Sequence, residues 1–196
     1  MTSAPLPKRL SPSSRDALRQ HFHTLGPEDR RLRFGSTVAD AGIDNYVAQI
    51  DFDRDAVFGV YGDELHLAGV AHVAMADGTA ELGVSVLPGY RGCGIGSALF
   101  ERAGMHARNA LVRVLFMHCL TENAAMMHIA RKFQMRVVAG GGEADAHLEL
   151  PPGDASSITR EMMLERIALF DYALRSQVSS MGRITDAALQ KPSTKD

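Results

Sequence analysis

The stretch Ala80–Ser97, AELGVSVLPGYRGCGIGS, constrains the chain more than any other. In its first half Leu82, Val84 and Val86 alternate with Glu81, Gly83 and Ser85, the period of a half-buried strand. Glu81 therefore belongs to the face opposite the leucine and valines. After Pro88-Gly89-Tyr90 comes Arg91-Gly92-Cys93-Gly94-Ile95-Gly96-Ser97, and then Ile95, Leu99 and Ala103 recur at helical spacing. Glycines there let backbone N–H groups converge on an anion, the helix N-terminus adds its positive dipole end, and Arg91 adds a charge-assisted donor. A pyrophosphate suits such a cradle. A Walker loop would end in Gly-Lys-Ser/Thr, and no lysine follows Gly94 or Gly96. A dinucleotide fingerprint needs G-x-G-x-x-G near the start of a βαβ unit; the spacing of Gly92, Gly94 and Gly96 lacks the last interval, and strand-like segments come first.

The chain has 196 residues, enough for one domain, and 45% hydrophobic residues, enough for a sizeable core. A formal net charge of −2 and a pI near 6.4 supply no global basic field for nucleic acid or a membrane surface. Two cysteines, Cys93 and Cys119, make no disulfide framework, and no apolar run approaches the roughly 20 residues of a membrane span. The opening residues hold no apolar signal core, so a reducing, cytoplasmic setting is expected. The histidines show no H-x-x-x-H or H-E-x-x-H spacing, and no metal site is expected.

Taken in order, a proline-dotted start leads to a short strand at Lys8-Arg9-Leu10. A helix follows, capped at Ser11-Pro12-Ser13 and carrying Leu18, Phe22 and Leu25 until Gly26-Pro27. A helical turn runs from Pro27 to Arg33, and another helix from Ser36 to Ile50. Asp51-Phe52-Asp53-Arg54-Asp55 reads as a solvated loop. Ala56 to Val60 and Leu65 to Met75 read as strands around a turn at residues 61–64, and Asp77-Gly78 signals a hairpin into the glycine-bearing strand. Beyond the loop's helix, which ends near Asn109, Val112 to Leu120 is a strand with Val114, Phe116 and His118 on one face and Leu115, Met117 and Cys119 on the other. Thr121 is the expected cap of a helix carrying Met126, Ile129, Ala130 and Phe133. Residues 136–139 and 146–150 close the sheet around Gly140-Gly141-Gly142. The expected division is a domain over residues 8–150, a helical extension over 151–180 after Pro151-Pro152-Gly153, and a tail over 181–196. Ile158, Met162, Glu165, Leu169 and Tyr172 share one face of that extension, which packs either on its own domain or on a second subunit in a homodimer.

Arg91, Gly94 and Gly96 meet the R/Q-x-x-G-x-G/A signature, and the stretch resembles the GCN5-related N-acetyltransferase (GNAT) superfamily over roughly residues 8–150. The turn Leu25-Gly26-Pro27-Glu28 followed by Leu32-Arg33-Phe34 is similar to its protein-lysine acyltransferase branch. The resemblance implies an α/β fold, a mixed, mainly antiparallel sheet flanked by helices. The sheet would splay between the strand of Glu81 and the strand of His118 to admit acetyl-coenzyme A. Val84, Ser85 and Val86 would hold the pantetheine like an added strand. Arg91, Gly92, Cys93, Gly94, Ile95, Gly96 and Ser97 would hold the pyrophosphate, and Asn123 matches a cofactor-contacting asparagine. The implied reaction moves an acetyl group to a primary amine, on a protein lysine or a small molecule, by direct attack.

Such a transfer needs a base for the ammonium proton and stabilisation of an oxyanion. Glu81 is the first candidate base, at the place where the lysine-acyltransferase branch carries a glutamate, and burial beside the cofactor would raise its pKa. His118, five residues before Asn123, is the second. Each has a plain alternative, a carboxylate held for structure at a sheet edge and a satisfied core histidine. Cys119 is expected in the core, on the face opposite His118. Two departures stand out: Ala130 occupies the place where many members have a tyrosine acid for the departing thiolate, and Gln134 replaces a usual glycine. They keep two other readings open, a non-catalytic acyl-coenzyme A sensor and an interaction module built on the long last helix.

Overall fold

The computed structural model describes residues 6–62 and 65–189. Most of the proline-dotted start, Asp63 and Glu64 of the expected turn, and the tail from Gln190 lie outside the described residues. The elements run β1 (Lys8–Arg9), α1 (Arg15–Thr24), α2 (Pro27–Phe34), α3 (Asp40–Gln49), β2 (Ala56–Tyr61), β3 (Leu67–Ala76), β4 (Thr79–Val86), α4 (Ile95–Asn109), β5 (Val114–Leu120), α5 (Ala124–Lys132), β6 (Arg136–Gly140), β7 (Glu143–Glu149) and α6 (Ala155–Leu189).

One seven-stranded sheet takes the order β1-β2-β3-β4-β5-β7-β6, antiparallel throughout except for β4 beside β5. The β3–β4 hairpin closes through Asp77 and Gly78, both at positive φ (44° and 78°), the conformation whose twist matches the strands it joins. One sheet face carries α4 and α5 on Phe58, Leu82, Val84, Leu115 and Met117; the other carries α1 and α3, through Leu18, Phe22, Ile43 and Val47, on Val57, Leu67 and Val70. Strands β2 and β3 are thus covered on both faces, and the alternation in β4 sends Ala80, Leu82 and Val84 into the first core.

Three expectations are corrected. The α3 helix starts at Asp40 rather than Ser36, because Gly35 ends α2 in the left-handed region and Arg30 fixes the connection, donating to the Val38 carbonyl (3.3 Å) and the Asp40 carboxylate (2.7 Å). The cap of α5 is Asn123, whose Oδ1 accepts from Met126 N (3.1 Å), and not Thr121, whose hydroxyl donates to the Gly142 carbonyl. Asp55 is no solvated loop residue: it is 3% exposed and accepts from Met75 N (3.2 Å) and Arg54 Nε (2.9 Å). Gln134, in place of the usual glycine, sits at φ 55°.

Helix α6 runs beyond Ser180 to Leu189 and packs on α4 and β1 through a polar face. Ser157, Glu161, Glu165 and Ala168 face inward, whereas Ile158, Met162 and Leu169, expected to lead the packing, are exposed together with Met163, Phe170 and Val178. The reason lies on α4, whose Arg102 (4% exposed, stacked over Phe58), His106 and Asn109 demand carboxylates. Glu161 accepts from Arg102 (2.8 Å), His106 (2.7 Å) and Asn109 (2.7 Å), and Glu165 from Arg102 (2.8 Å). Burial alone would push the Glu161 carboxyl up; the bonds from His106, Arg102 and Asn109 outweigh it and hold its pKa at about 2.

A folded pKa below the unfolded value of 4.5 makes this anchor complete above that pH and lost as pH falls through about 2. Glu161→Gln is expected to lower the unfolding free energy by roughly 2 kcal/mol at neutral pH. Melting curves of both proteins through the acid range should converge; a gap that stays constant there would show that the carboxylate is not the anchor.

Candidate functional site

The site begins where β4 and β5 part. Their parallel pairing covers only Thr79, Ala80 and Glu81 against Val114, Leu115 and Phe116. From Leu82 to Val86 the β4 edge has no strand beside it on that side, so its backbone can pair with an extended guest. Glu81 stands at the vertex of this opening.

Below the vertex lies a cleft of about 680 Å³ that gathers Val84, Ser85, Val86, Arg91, Gly92, Gly94, Ile95, Gly96, Ser97 and Asn123. Gly94 caps α4 at φ 80°, so the loop turns the helix N-terminus toward the cleft, as an anion requires. Cys93 is exposed on the same loop but does not line the cleft; Glu81 and His118 do not line it either. Arg91 donates from Nε to the Val86 carbonyl (3.0 Å) and pairs with Asp29 (2.8 Å). Asn123 is 7% exposed and, besides capping α5, donates to the Leu32 carbonyl (3.1 Å).

Helix α2 spans the opening. Asp29 ties it to the glycine loop, while Arg31 pairs with Glu122 (2.6 Å) and Leu32 receives Asn123 on the far wall. None of these α2 contacts is readable from the sequence.

The face of β4 that carries Glu81, Gly83 and Ser85 looks toward α1–α3. His21, 2% exposed, donates from Nδ1 to the Leu67 carbonyl (2.7 Å) and accepts at Nε2 from the Ser85 hydroxyl (2.8 Å). Burial lowers its pKa to about 4 against the pull of the Leu67 carbonyl, and the charge of Arg33 adds to the lowering. Arg33 lies over Gly83, where a Cβ would come within 2.6 Å of Nη1 and closer still to the rest of the guanidinium. Its Nη2 donates to Tyr46 Oη (3.0 Å), which donates to His72 Nδ1 (2.7 Å), whose Nε2 donates to buried Asp55 (3.2 Å). His72 is lowered by burial, which outweighs the Asp55 hydrogen bond and is helped by Arg33. The sequence reading missed this line of residues, though a glycine inside an apolar strand is the signal of a close approach.

Glu81 is exposed rather than buried. His118 is exposed as well; its Nδ1 lies 2.8 Å from Asp145, and that hydrogen bond raises its pKa. Cys119 is buried in the core and Ala130 is 1% exposed. Among the described residues no cluster of three His, Cys, Asp or Glu could hold a metal, and no helix is long and apolar enough to cross a membrane.

A strand edge opening beside a glycine loop and a helix N-terminus is the architecture of an acyl-coenzyme A acyltransferase. The sequence matches the Acetyltransferase (GNAT) family over residues 22–134, and the chain belongs to that family, the acetyl-coenzyme A-dependent N-acetyltransferases. The fold is similar to the GNAT domain of S. lividans PAT (TM-score 0.63, 15% identity, 74% of this chain and 89% of that one). It is similar also to the ribosomal-protein-alanine N-acetyltransferase of Brucella melitensis (0.56, 18%, 74% and 99%). A third likeness is to the PaiA N-acetyltransferase of Thermoplasma acidophilum, solved in complex with coenzyme A (0.57, 13%, 73% and 97%). No curated protein matches the sequence.

Burial favours the neutral form of His21, the partner of the cleft residue Ser85, so its contribution to stability is complete above the unfolded pKa of 6.5 and lost as pH falls to about 4. The stability difference between wild type and His21→Gln is expected to shrink by roughly 3 kcal/mol across that window. Denaturant titrations at several pH values measure it, and a difference independent of pH would mean that His21 does not titrate in the fold.

Proposed function

We propose that the chain transfers the acetyl group of acetyl-coenzyme A to a primary amine by direct attack, with Glu81 as general base. The observation that carries this reading is the parting of β4 from β5 at Glu81, which sets a carboxylate at the head of the open edge. The residues present suit the cosubstrate: a free strand edge at Leu82–Val86 for the pantetheine and a helix N-terminus with open glycines for the pyrophosphate. Val84, Ser85 and Val86 line the first, and Arg91, Gly92, Gly94, Ile95, Gly96 and Ser97 the second. Asn123 holds the far wall. Acetyl-coenzyme A supplies the activated thioester. Glu81 takes one proton from the acceptor's ammonium and releases it to solvent; the freed lone pair attacks the carbonyl carbon, the C–S bond breaks, and the second N–H proton passes to the departing sulfur.

Glu81 is preferred to His118, because the Asp145 hydrogen bond that raises the His118 pKa keeps that ring protonated to higher pH, when it cannot accept a proton. A protein lysine is the favoured acceptor, on the likeness of Leu32-Arg33-Phe34 to the lysine-acyltransferase branch. Residues 8–150 form the acyl-transfer domain and α6 its extension, with a cytoplasmic site of action in keeping with the free Cys93 and Cys119. A second reading, an acyl-coenzyme A sensor without turnover, is favoured by buried Ala130, which leaves the motif's acid position empty of any proton donor.

Calorimetric titration with acetyl-coenzyme A should show binding that weakens on the order of tenfold to a hundredfold in Arg91→Ala, the worth of one charge-assisted contact. NAD should not bind. A folded wild-type protein with no affinity for acetyl-coenzyme A would end both readings.

Glu81→Gln should slow thiol release, with a lysine peptide as acceptor, by about a hundredfold or more while acetyl-coenzyme A affinity is kept. An unchanged rate would remove Glu81 from the mechanism, and binding without thiol release in the wild type would favour the sensor.

A further inference from the structure

Arg33 is a half-buried cation without an anion. Among the described residues it makes no ion pair; its one hydrogen bond goes to Tyr46 Oη, and its Nε–H is buried with no partner. The guanidinium is boxed by Phe34, Tyr46 and Phe22 at 4.9, 5.7 and 5.9 Å from the ring centres. Enclosure of this kind fixes a charged plane but does not neutralise it. Removing part of a guanidinium from water without a counter-charge is costly, and such groups are normally paired. Elsewhere in this chain the rule holds: buried Arg102 has two carboxylates.

Its place suggests what it is for. Arg33 lines the cleft and lies against β4 at Gly83, a position only a residue without a Cβ permits. On the proposed function, on which this inference rests, the pyrophosphate lies at Arg91–Ser97 and the pantetheine follows β4 from Val86 to Val84. The next position along the strand is Gly83, followed by the base Glu81 two residues on. An extended guest running that way brings its thioester to the guanidinium.

We infer that Arg33 is a catalytic residue that donates hydrogen bonds to the thioester carbonyl oxygen and stabilises the oxyanion formed there, with Tyr46, His72 and Asp55 as positioning residues behind it. In the step itself the amine lone pair forms the C–N bond and the carbonyl π pair moves onto oxygen, facing Arg33. The pair then returns to re-form C=O as the C–S bond breaks, and the sulfur takes the remaining ammonium proton. Arg33 stays protonated throughout. The oxyanion supplies the counter-charge that the resting fold withholds, so the interaction is stronger in the transition state than before it. Tyr46 accepts from Arg33 at its oxygen while giving its own proton to His72 Nδ1, an arrangement Asp55 secures by accepting from Nε2. The charged and titratable groups facing this line are Arg33, Glu81, Arg54 and Asp55.

The test compares wild type, Arg33→Met and Tyr46→Phe by three measurements. Isotope-edited infrared spectra of bound acetyl-coenzyme A, labelled at its thioester carbonyl, should show a lower C=O stretching frequency in wild type than in Arg33→Met, with Tyr46→Phe between them. With a lysine peptide as acceptor, kcat should fall about a hundredfold in Arg33→Met while calorimetry finds acetyl-coenzyme A affinity within about threefold of wild type. The melting temperature of Arg33→Met should equal or exceed that of wild type, because no ion pair is lost. Equal frequencies in wild type and Arg33→Met, an unchanged kcat, or a loss of activity that only follows a loss of stability would each overturn the inference. If Arg33→Met does not fold, Tyr46→Phe decides by the same frequency. A wild-type protein that turns over and matches its variants overturns this assignment alone, whereas one that binds no acetyl-coenzyme A overturns the acetyl-transfer reading and this inference with it.

Discussion

Everything at this site depends on a shortage of backbone pairing. Strands β4 and β5 share only the register Thr79–Glu81 with Val114–Phe116, then separate, while β5 stays paired with β7 along its whole length on the other edge. Unpaired N–H and C=O groups inside a sheet are a liability unless something covers them. Here the cover is the segment that follows: the loop returns Arg91 to the Val86 carbonyl, and α5 closes from the far side with Asn123. The sheet does not fail to close; it is held open by residues that bond to its edge and to one another.

Helix α2 is the crosspiece of that arrangement. It buries no side chain fully, so packing alone does not fix it. Its position rests on polar ties at both ends of the opening, Asp29 to Arg91 on one wall and Arg31 to Glu122 with Asn123 to Leu32 on the other. Ties of this kind are individually modest where exposed. Their effect here is geometric: they set the width of the cleft and bring Arg33, on the same helix, over Gly83.

What the sequence shows and what it hides follow from range. The hairpin at Asp77-Gly78, the alternation of β4 and the glycine loop are local, since each requires a backbone conformation that only a few residue types adopt. The alternation of β5 survives intact, with Leu115, Met117 and Cys119 buried and His118 exposed. Helix α6 misleads because its apolar positions suggest a face that the partner contradicts. Arg102 of α4, already stacked on Phe58, takes Glu161 and Glu165 in preference to Ile158 and Met162. The line Arg33–Tyr46–His72–Asp55 is invisible for a related reason: its members come from α2, α3, β3 and the loop before β2, and no spacing links them. Only Gly83, a gap in an apolar strand, marks where they meet.

The N-terminal layer also has a consistent electrostatic character. Buried His21 and half-buried His72, which faces this layer from β3, are both pushed toward the neutral form, His21 to about 4 and His72 in the same direction, with burial the largest cause and Arg33 a contributor in each. A neutral His72 can accept the Tyr46 proton at Nδ1 while donating to Asp55 from Nε2; a charged one would donate at both nitrogens and break the line. Burial, helped by the permanent charge of Arg33, thus favours the neutral His72 that orients the hydrogen-bond acceptor of Arg33. On the same face of β4, Glu81 keeps its carboxylate exposed two positions away. On the proposed mechanism, a protonated amine approaching the opening is drawn toward Glu81 and repelled by Arg33 until it has lost a proton. On that mechanism the negative charge that grows on the far side of the bond-forming carbon meets Arg33, a half-buried cation that makes no ion pair among the described residues.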